Sequence, residues 1–118
     1  MFLKSSILFL AVLFGGSLCA GNELVKDGKA CSAIVVGEKP TRSAQFAAFE
    51  LQHVIKLITD CELPIVAKAP DTLKTCLNVG ADSCPYAKKT AAGLTGEEYV
   101  VGAKGNEIYL FGNDSPEF

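Results

Sequence analysis

The sequence predicts an α+β fold, a mixed β-sheet with one long helix packed on a face. Three observations predict it. Residues 42–60 contain no Gly or Pro and carry apolar side chains at three- and four-residue spacings. Short apolar runs bounded by turn residues lie on both sides of that segment. The first and last of these runs are folded back by Asp27-Gly28 and by Lys104-Gly105-Asn106, which are hairpin signals.

Taken in order, Glu23 to Lys26 and Ala30 to Val36 are the arms of the first hairpin, because both central positions of the favoured two-residue turn need positive φ. Gly37 ends the second arm. Pro40 disfavours helix in the residue before it, and Thr41 is a good N-cap for a helix from Arg42 to Asp60. Its expected buried stripe is Phe46, Ala47, Leu51, Val54, Ile55 and Ile58, with His53 at the edge. Pro64 opens a short strand, Ile65 to Ala67, and a further strand follows at Thr75 to Val79, stopped by Gly80. The polar stretch after it holds one helical turn near Tyr86 to Lys89. The last hairpin pairs Glu98 to Ala103 with Glu107 to Phe111. Apolar residues alternate onto both faces of its final strand, which predicts cover on both sides. A helix as long as the predicted one is what parallel pairing of Ile34 to Val36 with a later strand requires.

The first twenty residues are expected to stand outside this domain. Lys4, an apolar run from Ile7 to Phe14 and then small residues form the layout of a secretory signal peptide. That run is shorter than the roughly 20 apolar residues a membrane span needs. Cleavage after Cys19, Ala20 or Gly21 fits the small-residue rule. A lipoprotein box fits less well, because Leu18 precedes Cys19. Residues 21–118 are then one secreted or periplasmic domain, large enough to fold alone with a thin margin. The whole chain carries a formal charge of −2, and its lysines are scattered, so a nucleic-acid partner is excluded.

With the leader removed, four cysteines remain: Cys31, Cys61, Cys76 and Cys84. An even number in an exported chain favours disulfides. Three pairings are open, among them Cys76 with Cys84 across a short loop together with Cys31 with Cys61. A zinc site is disfavoured, since no C-x-x-C occurs and His53 is the sole histidine. His53 has no acid or nucleophile at an orienting distance along the helix, so an exposed helix histidine is the better reading. No phosphate-binding loop or dinucleotide fingerprint is present, no serine lies in a nucleophile elbow, and no cofactor is implied. Glu97 and Glu98 are adjacent and would point to opposite faces of a strand, unlike an acid and nucleophile facing one sugar. Asp114 and Glu117 are equally weak catalytic candidates. Asn113-Asp114-Ser115 is a glycosylation sequon followed by an unfavourable Pro116.

The segment "LVKDGKACSAIVVGEKPTRSAQFAAFELQHVIKLITDCELPIV" resembles the N-terminal domain of α-glucuronidases of glycoside hydrolase family 67 and their secreted relatives. The matching residues are Asp27-Gly28-Lys29, Ile34 to Val36, Ala48, Glu50-Leu51-Gln52, Ile55, Ile58-Thr59 and Leu63-Pro64-Ile65. "LNVGAD", "GLTGEEYVV" and "KGNEIYLFGND" continue the likeness. The pattern departs at Asp60-Cys61, where the family commonly has Gly. The resemblance implies an N-terminal fold like that of α-glucuronidases and β-N-acetylhexosaminidases. It also implies a further helix after "IYLFG" and then a catalytic (β/α)₈ barrel, downstream or in trans, that contacts the carbohydrate. No catalytic residue of the family maps onto this chain, which reads as incomplete at its C-terminus. The expected function is therefore a non-catalytic accessory domain of a secreted, xylan-degrading type of glycosidase. The alternative is an independent secreted binding module or protease inhibitor that uses the Lys104 to Asn106 hairpin as its contact edge.

Overall fold

In a computed structural model, which describes residues 23–114, the order of elements is β1 (Val25–Lys26), β2 (Lys29–Ala30), β3 (Ser32–Val35), α1 (Arg42–Thr59), β4 (Ile65–Val66), β5 (Thr75–Val79), α2 (Pro85–Ala91), β6 (Tyr99–Lys104) and β7 (Glu107–Gly112). The proposed leader and Glu117 lie outside the described residues. The fold is α+β. A mixed five-stranded sheet runs β4-β3-β5-β7-β6, and β1 with β2 forms a separate ribbon.

The first hairpin turns as its sequence requires. Asp27 and Gly28 both have positive φ, 52° and 76°, as the favoured two-residue turn demands. The second arm is not one strand, however. It breaks at Cys31, so β2 pairs with β1 while β3 enters the main sheet. There β3 lies parallel to β4 (Ile34 opposite Ile65) and to β5 (Ile34 opposite Leu77). β5 in turn is parallel to β7, and only the edge strand β6 is antiparallel.

α1 begins and ends through local chemistry. The Thr41 hydroxyl accepts from the Ala44 N–H at 3.1 Å, which satisfies one orphan donor of the first turn. At the other end Asp60 takes the left-handed conformation, φ 61°, that usually selects Gly. Its N–H donates to the Lys56 carbonyl at 2.7 Å. Between the ends, the helix turns to the sheet the spacing Ala44, Ala48, Leu51, Ile55. This corrects the expected stripe by roughly a sixth of a turn: Phe46, Ala47, Val54 and Ile58 are exposed, and Phe49 and Leu57 with them. Two alanines at the contact let the helix axis approach the sheet closely, which larger side chains would prevent. α1 then packs with Ile34, Val36, Leu63, Leu77 and Val79 in the main core.

α2 is a full seven-residue helix rather than a single turn, with Pro85 at its start, where a missing N–H costs nothing. It lies on the opposite face. β5 and β7 alternate Leu77, Val79, Ile108 and Leu110 toward α1, while Ala87 and Ala91 of α2 pack on Phe111 with Tyr109 and Val100. Tyr86 sits tilted on Tyr109 and edgewise on Phe111, 4.7 and 5.9 Å away between centroids. β7 thus carries packed side chains on both faces, Ile108 and Leu110 partly buried against the α1 core and Tyr109 and Phe111 against α2; the bare part is the α1 side of β6. Val101, directly opposite Leu110 on β6 and facing the α1 side, is 67% exposed.

Candidate functional site

The sheet has a topological switch point. From β3 the chain leaves through α1 on one face to reach β4, and from the neighbouring β5 it leaves through α2 on the other face towards β7. In open α/β sheets, the crevice beyond the C-terminal ends of two such strands is where ligands bind. In this chain the crevice is filled by its own groups. Gly37, at φ 87°, packs so tightly that a Cβ would collide with the Asp82 carbonyl. The Lys39 N–H donates to Asp82 Oδ2 at 2.8 Å. Gly80, at φ 93°, leaves room for only 2.6 Å between an added Cβ and the Ala44 Cβ. The Ala81 N–H donates to Asp114 Oδ2 at 2.7 Å, and the Thr41 hydroxyl approaches the same oxygen at 3.5 Å. The backbone donors that could have met an anion are held by two internal carboxylates.

Below the crevice, on the α2 side, an open groove of about 950 Å³ runs over β3 and β5 between α2 and the 67–74 loop. Val35 and Cys76 form part of its floor, Cys84 and Lys88 border it from the α2 side, and Lys68 and Leu73 border it from the loop. Glu107 reaches its far end and accepts from Asn78 Nδ2 at 2.6 Å. That amide also donates to the Ile108 carbonyl at 3.2 Å, so buried Asn78 ties β5 to β7 and uses both of its N–H donors. Burial, then the Glu107 charge, then Cys84 push the Cys76 thiol above its ordinary value. Burial and the same Glu107 push the Tyr109 hydroxyl up as well.

On the α1 side a second recess of about 510 Å³ is lined by Phe46, Leu51 and Val54 of α1 and by Val79 and Leu110 of the sheet. Its character is almost wholly apolar, with Glu50 the one charged residue at its edge. Exposed Val101 and Tyr99 extend it across β6.

The residues singled out by sequence are not assembled into one centre. Cys31 is disulfide-bonded, while Cys61, Cys76 and Cys84 are free thiols. The Cys31–Cys61 pairing is therefore not formed, and Cys76 and Cys84 are not joined, although both border the polar groove. Cys61 is buried just past the end of α1. His53 is exposed on α1. Glu98 accepts from the Thr95 N–H and hydroxyl, both at 2.7 Å, which lowers its pKa, and it acts as a turn brace. Asp114 braces the switch point, and Glu107, which sequence reasoning did not single out, reaches the groove. Among the described residues no His, Cys, Asp and Glu cluster could hold a metal, and no helix is long and apolar enough to cross a membrane.

Compared with protein-family models, curated proteins and solved structures, the chain gives no match.

Proposed function

We propose that this chain is a non-catalytic accessory domain of a secreted α-glucuronidase-like glycoside hydrolase, and that its bare apolar half-sheet seats the catalytic barrel of that enzyme. The observation that carries the reading is the continuous apolar surface from Phe46 and Val54, through Leu110, to Val101 and Tyr99. A monomeric domain rarely leaves such a surface in water, and a rim of polar groups around an apolar centre is the usual form of a domain interface. The carboxylates support the non-catalytic part. Glu98, Glu107 and Asp114 each spend an oxygen on a structural donor, respectively Thr95, Asn78 and Ala81. A general acid or nucleophile needs its oxygens free to face a substrate.

The test supplies the partner in trans. The full chain is mixed with an α-glucuronidase barrel expressed without its own N-terminal domain, and binding is followed by calorimetry. Saturable binding that is lost in the Val101→Lys variant is the expected result. Absence of binding, or release of uronic acid from a glucuronoxylan oligosaccharide by the chain alone, would overturn the proposal. The exposed Lys104 to Asn106 turn, whose Asn106 carbonyl is pinned by the Cys76 N–H at 2.9 Å, is the contact edge of the alternative, an independent binding module.

A further inference from the structure

The polar groove brings together two thiols that the proposed docking role does not use. Strand alternation on β5 sends Leu77 and Val79 into the core under α1 and leaves Cys76 on the α2 face, in register between Ala33 of β3 and Glu107 of β7. Cys84 reaches the same face by another route. Gly80 ends β5, and a turn closed by the Ser83 N–H and hydroxyl on the Gly80 carbonyl (3.2 and 2.7 Å) folds the chain back. Cys84 then stands directly before α2, packed against the cluster that holds α2 to the sheet. It occupies the N-cap position but makes no side-chain capping bond, so its sulfur has no structural duty there. Both residues are half-buried, both sulfurs are free thiols, and both border the groove. The other cysteines are placed differently: Cys61 is buried past the end of α1, and Cys31 is already bonded.

We infer that Cys76 and Cys84 are a dithiol–disulfide couple, and that a disulfide-bearing oxidant closes a Cys76–Cys84 bridge that ties α2 to β5 across the groove. The order of events follows from the surroundings of Cys76. Burial and then the neighbouring Glu107 charge disfavour its thiolate, so Cys84 is the first nucleophile. Its thiolate attacks one sulfur of the oxidant R–S–S–R. The S–S bond breaks, one RS⁻ leaves and takes up the proton that Cys84 gave to solvent, and a mixed disulfide remains on Cys84. Cys76 then loses its proton to solvent and attacks the Cys84 sulfur, expelling the second RS⁻. Two protein thiols have lost two protons and two electrons, and one oxidant disulfide has taken them up to become two thiols. The closed loop is short, with seven residues lying between the two cysteines, and its turn is already formed in the dithiol. The bridge would fasten a seven-residue helix that is too short to be stable by itself.

The experiment uses the full chain with Cys76 and Cys84 reduced, exposed to oxidised glutathione as the oxidant. Trypsin leaves both cysteines in one peptide, Thr75 to Lys88, whereas cleavage before Asp82 separates them. After that second cleavage the expected product is two fragments still joined, lighter than the dithiol pair by two hydrogens, carrying no glutathione and parting on reduction. Cys61→Ser should leave this product unchanged. Cys76→Ser should trap glutathione on Cys84. Glutathione added separately to Cys76 and Cys84 with no joined fragments, no reaction at either, or a bridge from either one to Cys61, would each overturn the inference.

Discussion

Beyond α1, on its own face of the sheet, Val101 and Tyr99 lie open next to half-buried Leu110. Beyond α2, on the other face, the matching gap over β3 and β5 holds lysines, acids and Cys76. Each helix covers one half of one face, diagonally opposed to the other, so each face keeps a bare half. The two bare halves differ in chemistry. The polar one is content in water, because its charged groups are solvated and its one buried amide is paired. The apolar one leaves area in water that burial would stabilise by about 25 cal/mol per Å². Incomplete cover is therefore tolerated on the α2 face, and on the α1 face it leaves the apolar area that the proposed docking would bury.

The largest expected effect sharpens the contrast between covered and bare parts of the α1 face. Leu63 is fully buried under α1, and Leu63→Ala should cost about 3 kcal/mol in denaturant unfolding. Val101→Ala, on the bare half, should stay within about 0.5 kcal/mol. Equal losses at the two positions would break the comparison, because Val101 would then already be packed. Next comes Gly37→Ala on the groove side. Its positive φ and the Asp82 carbonyl leave no room for a methyl, so a loss of about 2 kcal/mol or more is expected. A near-neutral result would mean that the two loops of the switch point are not locked together.

The smallest effect is a pH dependence confined to the polar side. Cys76 and Tyr109 are both raised above their ordinary values of 9.0 and 10.0. The folded state then holds these protons more tightly than the unfolded state. Their contribution is fully present below the ordinary values and is lost as pH rises through the folded ones. Stability should decline above about pH 9, and Tyr109→Phe should flatten the decline. An alkaline limb untouched by Tyr109→Phe together with Cys76→Ser would place the linked protons elsewhere.

Sequence by itself determined the features that a few neighbouring residues control. Asp27-Gly28 and Lys104 to Asn106 turn where they must, with positive φ at Asp27, Gly28 and Gly105. Thr41 starts α1, the left-handed Asp60 stops it, and β3 pairs parallel with β4 as a long crossover requires. The tertiary structure alone decided which side of α1 meets the sheet. Periodicity favoured the larger apolar residues, including Phe46 and Val54, but close approach selected Ala44 and Ala48. It also decided that the α1 side of β6 stays bare, and that Cys76 and Cys84 share a groove with Lys68 and Glu107. Turns and caps depend on φ, ψ and hydrogen bonds within a few residues, which the local sequence states. Faces and grooves depend on where the crossovers carry remote segments, and no local pattern records that.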